Sequence, residues 1–373
     1  MFLKRIRPRG NLCGRIFKTG VVFISSVLNV LNNIWPYLVA VLLFLVLIII
    51  HEFGHFIAAK LLGVKVNEFA VGFGPKLFSK KKGETEYKVN LIPLGGYCAM
   101  EGEDEESSDE RAFCKKSAWR RFIIVAMGAI FNLLLGIILV SFTLIPSKQF
   151  ATTKIAAFDE NALSEESGLR VDDKILKVDG RKIYTTYDLS YAFTNVKTGS
   201  LDIEVDRHGA KKLLKDVTFE ITEEDDFTYI NVDFKVYPQK KTFKSFISQT
   251  FKMTFSYCAV IYRSLFDLIG GKYGISAVSG PVGVTAAIGS AAKASLKNLI
   301  PIMALITINL GLFNLLPIPA LDGGRLLFIF IEMVTRKKIP AKYEATIHAI
   351  GFIILILFML AVTAKDIRSL IFR

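Results

Sequence analysis

Four apolar runs constrain this chain more than any other feature: residues 36–60, 118–145, 297–316 and 346–364. Each is long enough, or nearly so, to cross a hydrocarbon core of about 30 Å as a helix. The first begins PYLVAVLLFLVLIII and the last contains AIGFIILILFMLAV. Of the 373 residues, 52% are hydrophobic and 30 are Phe, too apolar for a soluble domain of ordinary composition. A polytopic α-helical membrane protein with about four spans is the expectation. The first run outlasts the apolar region of a secretory signal and no small-residue cleavage site follows it, so it should stay in the mature chain.

The formal net charge of +13 could suggest nucleic acid, but Lys and Arg fall mainly in loops flanking the apolar runs, where topology and anionic lipid explain them better. No nucleic-acid partner is expected. Cysteines 13, 98, 114 and 258 are scattered, without a CxxC pair, and imply neither a disulfide framework nor a cysteine metal site.

Composition divides the chain into five parts. Residues 1–35 form a basic N-terminal segment, in which GVVFISSVLNVLNN at 20–33 reads as an interfacial helix. Residues 36–149 hold the first two spans and a loop between them. In that loop EYKVNLIPLGGYCAM reads as one or two short strands with a turn, in contact with membrane or spans. Residues 150–237 have the composition of a soluble α+β module, with His208 in a hairpin turn. Residues 238–296 carry a helix at 243–269 and a Gly/Pro loop. That helix places Phe243, Phe246, Phe251, Phe255 and Phe266 on one face and Lys244, Ser248, Lys252, Ser256, Arg263 and Asp267 on the other, the pattern of a helix lying in the interface. Residues 297–373 hold the last two spans.

The end of the first run, LVLIIIHEFGHFIAAKLLG, carries the chemistry. Ionisable groups inside a bilayer cost at least a few kcal/mol each and are functional candidates by default. Residues four apart on a helix lie about 40° apart around its axis, so His51 and His55 present both imidazoles to one point, with Glu52 alongside. This is the HExxH pattern of a zinc hydrolase. One Zn2+ is the expected cofactor, with Glu52 taking a proton from water whose pKa the ion lowers. A site of this kind usually has three protein ligands. The best third donor is Asp322 in NLLPIPALDGGR, 267 residues after His55, where two prolines stop a helix and two glycines let the backbone approach closely. The competing reading, a chance HExxH with both histidines merely packed or exposed, is weakened by the absence of further ionisable groups in that span before Lys60.

Depth is an independent check. Residues 36–50 rise roughly 22 Å, which puts His51 about three-quarters of the way through the core. If the second span returns the chain and the helix at 243–269 does not cross, spans one and three run parallel and Asp322 reaches similar depth on the same side. A crossing at 243–269 would send it to the opposite face.

Other polar residues admit two readings. Asn309 and Asn314 could bond a neighbouring helix, or serve the site: Asn314 as a donor to a developing oxyanion, Asn309 toward substrate. Asn132 is balanced between a helix contact and the same role. His208 and His348 read as structural or exposed.

The pieces HEFGH, FAVGFGPKLFS, IPLGGYCAMEGE, SGPVGV and NLGLFNLLPIPALDGGRLL together resemble the site-2 proteases, intramembrane zinc metalloproteases, and most closely the bacterial sigma-E-regulating type. The resemblance implies His51, His55 and Asp322 as zinc ligands, Glu52 as catalytic base, and 150–237 as a PDZ-like domain outside the cytoplasm. It also implies that Lys88 to Met100 is a membrane-associated β-element holding substrate as an added strand, so Asn90, Leu91, Ile92, Leu94, Gly95 and Gly96, with Pro317 and Pro319, are expected to touch substrate. Such a strand would take over the backbone bonds of an unwound substrate helix. Two departures stand out: Ala129 occupies a position where proline often occurs, and RVDDKI lacks the usual Gly before Asp. A steric filter is therefore expected in place of a carboxylate-binding groove.

The implied activity is cleavage of single-span membrane proteins, of anti-sigma or signal-peptide-remnant type, already trimmed outside the cytoplasm, with the active site near the cytoplasmic face of a bacterial inner membrane. Twelve Lys and Arg from Lys60 to Arg121 favour a cytoplasmic first loop, while Lys4, Arg5, Arg7, Arg9, Arg15 and Lys18 favour an inside N-terminus. The rival readings are a membrane zincin acting on other peptides and a non-catalytic scaffold using the PDZ-like module.

Overall fold

The computed structural model describes residues 12–371 apart from 104, 195, 197, 225, 226 and 272–277; at 12–33, 94, 224, 227, 341, 370 and 371 it describes the backbone alone. The helices are α1 (Leu12–Leu61), α2 (Ala118–Leu144), α3 (Leu163–Glu166), α4 (Thr186–Ala192), α5 (Phe243–Ile269), α6 (Pro281–Ala294), α7 (Leu299–Leu315), α8 (Asp322–Thr335) and α9 (Ala341–Ile371). The strands are β1 (Val66–Lys82), β2 (Thr85–Met100), β3 (Gln149–Phe158), β4 (Lys174–Val178), β5 (Arg181–Lys182), β6 (Ser200–Arg207), β7 (Ala210–Thr218), β8 (Ile221–Glu224), β9 (Phe227–Ile230) and β10 (Phe234–Lys240).

Each of the four apolar runs becomes a helix long and apolar enough to cross a membrane, at Ile34–Leu61, Ala118–Leu144, Leu296–Leu315 and Lys342–Ser369. The protein is thus a multi-pass membrane protein with β-structure attached. The helix expected at 20–33 is not separate: α1 continues through it and through Pro36 without a break. Pro36 is buried and close against Gly289 of α6, so packing between helices holds the segment where proline removes a backbone donor. Residues 1–11, which carry four of the six N-terminal basic residues, lie outside the described residues.

The β-element is longer than the short strands expected. β1 and β2 form one antiparallel hairpin whose register breaks repeatedly, so Phe69, Ala70 and Val71 each pair with two partners on β2. Val71 faces both Gly96 and Val89, and Ala70 both Tyr97 and Lys88. The first half of β1 therefore lies between the two halves of β2, leaving Gly96–Met100 as an outer segment. Gly95, at φ +98, makes the bend, and a Cβ there would collide with the Phe73 ring. Phe73, Leu77, Phe78, Leu91 and Ile92 are exposed on the hairpin, an apolar surface that suits lipid.

The inserted module is a twisted antiparallel sheet, order β10-β3-β4-β6-β7 with β5 beside β4, around a core that includes Ile155, Ile175, Ile203, Val205 and Phe219. His208 and Gly209, both at positive φ, make the two-residue turn between β6 and β7. The polar face of α5 differs from its sequence reading. Lys244, Ser248 and Lys252 are exposed, but Ser256 and Asp267 are buried against the module. Arg181 grips Asp267 through both terminal nitrogens at 2.8 and 2.5 Å. Ser256 bonds Thr185 at 2.7 Å and also donates to Asp188. Helical spacing separates two faces of a helix without saying which medium touches each. Here half the polar stripe meets protein.

Candidate metal centre

The site begins with two glycines. A Cβ on Gly54 of α1 would lie 2.3 Å from the Met127 carbonyl oxygen, and one on Gly128 of α2 would lie 2.3 Å from His55 Nε2. Their absence lets α1 and α2 touch backbone to backbone, which sets His51 and His55 directly on α2. His55 Nδ1 is 2.9 Å from the Ile124 carbonyl oxygen, so it carries the proton and donates, leaving the Nε2 lone pair for a metal. His51 Nδ1 is 3.2 Å from the Asn132 side-chain amide. Thr307 of α7 in turn donates to the Asn132 backbone carbonyl at 3.1 Å.

Asp322 arrives from the other end of the chain. The α7 helix stops before Pro317-Ile-Pro-Ala, the backbone turns through Ala320 at φ +76, and Asp322 opens α8, where a carboxylate suits the helix dipole. The glycines after it are needed for close approach: a Cβ on Gly323 would meet the Leu316 carbonyl oxygen at 1.9 Å, and one on Gly324 the Ile318 oxygen at 2.6 Å.

The three donor atoms converge. Asp322 Oδ2 is 3.0 Å from His51 Nε2 and 3.2 Å from His55 Nε2, and the two Nε2 atoms are 3.2 Å apart. Zinc bonds of about 2.0–2.1 Å at tetrahedral angles place ligand atoms roughly 3.3–3.4 Å apart, close to this spacing. Asp322 Oδ2 is buried without a hydrogen-bond donor among the described residues, and the His55 tautomer makes its Nε2 an acceptor too. Acceptors crowded this tightly need a cation between them, so the residues fit zinc.

Glu52 and His55 face a cavity of about 370 Å³ that also meets Tyr97, Met100, Asp322 and Arg325. Cys98 lies in its wall, and burial pushes that thiol up from its ordinary range, so it is a neutral lining group, not a nucleophile. Arg325 pairs with Glu103 across the cavity, and Arg121 binds Glu332 at 2.6 Å, tying α2 to α8.

Of the residues expected to touch substrate, Gly96 lies close to the site, its ideal Cβ position 3.7 Å from Glu52 Cγ. The strand residues facing the cavity are Tyr97 to Met100, one step further along β2. Asn90 turns inward to donate to the Gly72 carbonyl at 3.0 Å, while Leu91 and Ile92 are exposed and Gly95 makes the bend. The side chain of Leu94 lies outside the described residues. Asn314 is buried on α7 and Asn309 exposed, neither lining the cavity; Pro317 is exposed and Pro319 rests on α9. Sequence reasoning missed Glu103, Arg325 and His348 as cavity residues. A lone histidine or an arginine following a motif carries no periodic signal, and only the fold gathers them.

Two histidines and an aspartate around one point, beside a glutamate and within a bundle of membrane-crossing helices, define a membrane-embedded metallohydrolase. The model of peptidase family M50 matches residues 39–358, and the chain belongs to that family. It is 39% identical over 329 residues to a Clostridium perfringens protein named as a candidate zinc metalloprotease, covering 88% of this chain and 97% of that one. It is 30% identical over 412 residues to the regulator of sigma-W protease RasP of Bacillus subtilis, covering 88% and 97%. A Bacillus licheniformis zinc metalloprotease, also named RasP, is 30% identical over 413 residues, covering 88% and 98%. The protein is a zinc metalloprotease of the site-2 type, with zinc as its metal.

Proposed function

We propose that the chain cleaves single-span membrane proteins within or beside their spans, with His51, His55 and Asp322 as zinc ligands and Glu52 as the catalytic base. The observation that carries this reading is the convergence of three donor atoms within 4.8 Å, two of them on a helix long and apolar enough to cross a membrane, beside a cavity that Glu52 lines. Zinc held there supplies a Lewis acid that polarises the scissile carbonyl and acidifies water. Glu52 receives a proton from the attacking water and delivers it to the leaving amine. His55 is held by the Ile124 carbonyl and His51 by Asn132, so neither ring must reorient during turnover.

A helical substrate hides its peptide groups, and the outer segment of β2 offers a remedy. Gly96–Met100 pairs with β1 on one side and with no strand on the other among the described residues. An unwound substrate adds there as a further strand, which lays its peptide bond over Glu52. The relative named a regulator of sigma-W protease supports anti-sigma-type substrates, and remnant signal peptides share the same single-span chemistry. The module at 150–237 is PDZ-like and acts outside the cytoplasm as a size filter, so that only trimmed substrates reach the site. The twelve basic residues of Lys60 to Arg121 support a catalytic side that faces the cytoplasm of a bacterial inner membrane.

The test is Glu52→Gln in purified protein, with membrane-span peptides as substrates and products read by mass. The expected result is zinc content equal to wild type with cleavage reduced by at least about 10²-fold, within the range general acid–base catalysis contributes. Full cleavage by the variant would instead point to a scaffold whose HExxH is incidental.

A further inference from the structure

We infer that the last span is a strut for the metal centre, and that His348 is a positioning residue holding the loop that delivers Asp322. The inference rests on Asp322 being a zinc ligand, as proposed above.

The α9 helix touches the rest of the molecule near the two ends of its apolar span. Its apolar span is only 6% buried, against 44% for the second span, so nearly all of it faces outward and the contacts it does make are concentrated. At one end Gly351 packs on the ligand loop so closely that a Cβ there would lie 2.4 Å from Pro319 Cβ and 2.9 Å from its carbonyl carbon. On the same stretch, the Ala320 backbone N–H donates to His348 Nδ1 at 3.1 Å, and Glu344 sits 3.6 Å from Arg325 of α8. At the other end Val362 and Asp366 are buried against α6, where the Asp366 carboxylate accepts from the N–H groups of Gly280 and Gly283 at 2.9 and 2.8 Å. Val362 lies fourteen positions after His348, roughly 21 Å of helix. A helix fastened at both ends and bare between them fixes the distance between what it fastens.

The loop needs such a support because its own backbone supplies little. Between Leu316 and Asp322, Pro317 and Pro319 have no N–H, which leaves three donors. Ile318 donates to Leu316 at 2.6 Å and Leu321 to Ile318 at 3.2 Å, both within the loop. Ala320, the third, is left-handed at φ +76, a conformation unfavourable to any residue but glycine. Its N–H points away from the loop, and His348 accepts it. Two residues further on stands Asp322, whose carboxylate must meet two imidazoles fixed on α1. The His348 ring is itself held by Phe328 of α8, centroids 5.9 Å apart, and it lines the same cavity as Glu52.

The chemistry separates the candidate replacements. Asn places an amide oxygen near where Nδ1 stands, whereas Gln carries its polar atoms about one bond further out. The experiment compares wild type, His348→Ala, His348→Asn, His348→Gln and Asp322→Ala, purified in detergent. Zinc retained by each is measured by metal analysis against a graded series of a competing chelator. The expected result is an apparent zinc affinity lowered about 10–100-fold in His348→Ala and His348→Gln, the usual cost of losing an outer partner of a metal site, and largely restored in His348→Asn. Asp322→Ala, which removes the ligand itself, should lose more.

Equal zinc retention by the Asn and Gln variants overturns the inference, because a merely space-filling role does not distinguish them. Wild-type retention in His348→Ala overturns it as well. If Asp322→Ala keeps its zinc, the ligand assignment falls and the strut falls with it, while a normal His348→Ala beside a zinc-free Asp322→Ala sinks the strut alone.

Discussion

Asn132 shows how much of the site depends on one amide. It is fully buried on α2, its Nδ2 faces His51 Nδ1, and its Oδ1 has no hydrogen-bond partner among the described residues. Turning the amide by 180° exchanges the two atoms and lets Oδ1 accept from a protonated Nδ1, the tautomer that frees His51 Nε2 for zinc. That orientation satisfies the imidazole in the metal-loaded state. The sequence left Asn132 balanced between a helix contact and a site role, and the fold gives it both neighbours: His51 through the side chain and Thr307 through the backbone. Asn132→Ala should weaken zinc binding by about 10-fold or more while leaving the α2–α7 contact intact, since Thr307 bonds the backbone carbonyl. Zinc competition read beside the detergent-phase elution profile checks this; unchanged affinity would reduce Asn132 to a packing residue.

At the scale of elements, α5 is the instructive case. Its period of 3.6 was plain in the sequence, and so were its two faces, yet the partner of the polar face was not. Asp267 accepts from both Arg181 nitrogens and from Tyr191 at 3.1 Å, while Arg263 of α5 reaches Asp188 of α4 at 3.4 Å. On its other side α5 packs Tyr257 with Val140, Leu144 and Ile308 of the spans. The helix thereby joins the module to the membrane core. Asp267→Ala removes the acceptor and should cost about 1.5–3 kcal/mol, the range for hydrogen bonds to charged groups, at the lower end because Arg181 is partly exposed. Hydrogen exchange should quicken in α4 and the C-terminal half of α5, with zinc content unchanged. Exchange confined to wild-type rates would mean the clamp adds nothing to the apolar contact. The β-hairpin was hidden for a related reason: β1 and β2 were legible as β-forming sequence, but the register breaks that make one strand pair twice depend on close approaches at Gly72 and Gly95 that no alternation pattern encodes.

For the whole molecule, the four apolar runs and the HExxH pair were readable because hydrocarbon thickness and helical pitch are strict rulers. Asp322 was readable because two prolines stop the third apolar run just before it and two glycines follow it. His348 was not, since nothing local links it to a loop residue 28 positions earlier in the chain. The same geometry predicts how the molecule responds to metal. Zinc bound by the proposed ligands His51, His55 and Asp322 would tie α1 to α8, whereas the module has its own core around Ile155, Ile203 and Val217. A ligand present at 100 times its dissociation constant stabilises the state that binds it by about 2.7 kcal/mol. Chelation should therefore raise hydrogen exchange around His51–His55 and in the first turn of α8, and leave β3, β4, β6 and β7 unchanged. Asp322→Ala should already exchange at the chelated rate in those segments and be insensitive to chelator. A uniform rise across the module and the core would show instead that metal stabilises the fold globally, through contacts well beyond the three residues that meet at its centre.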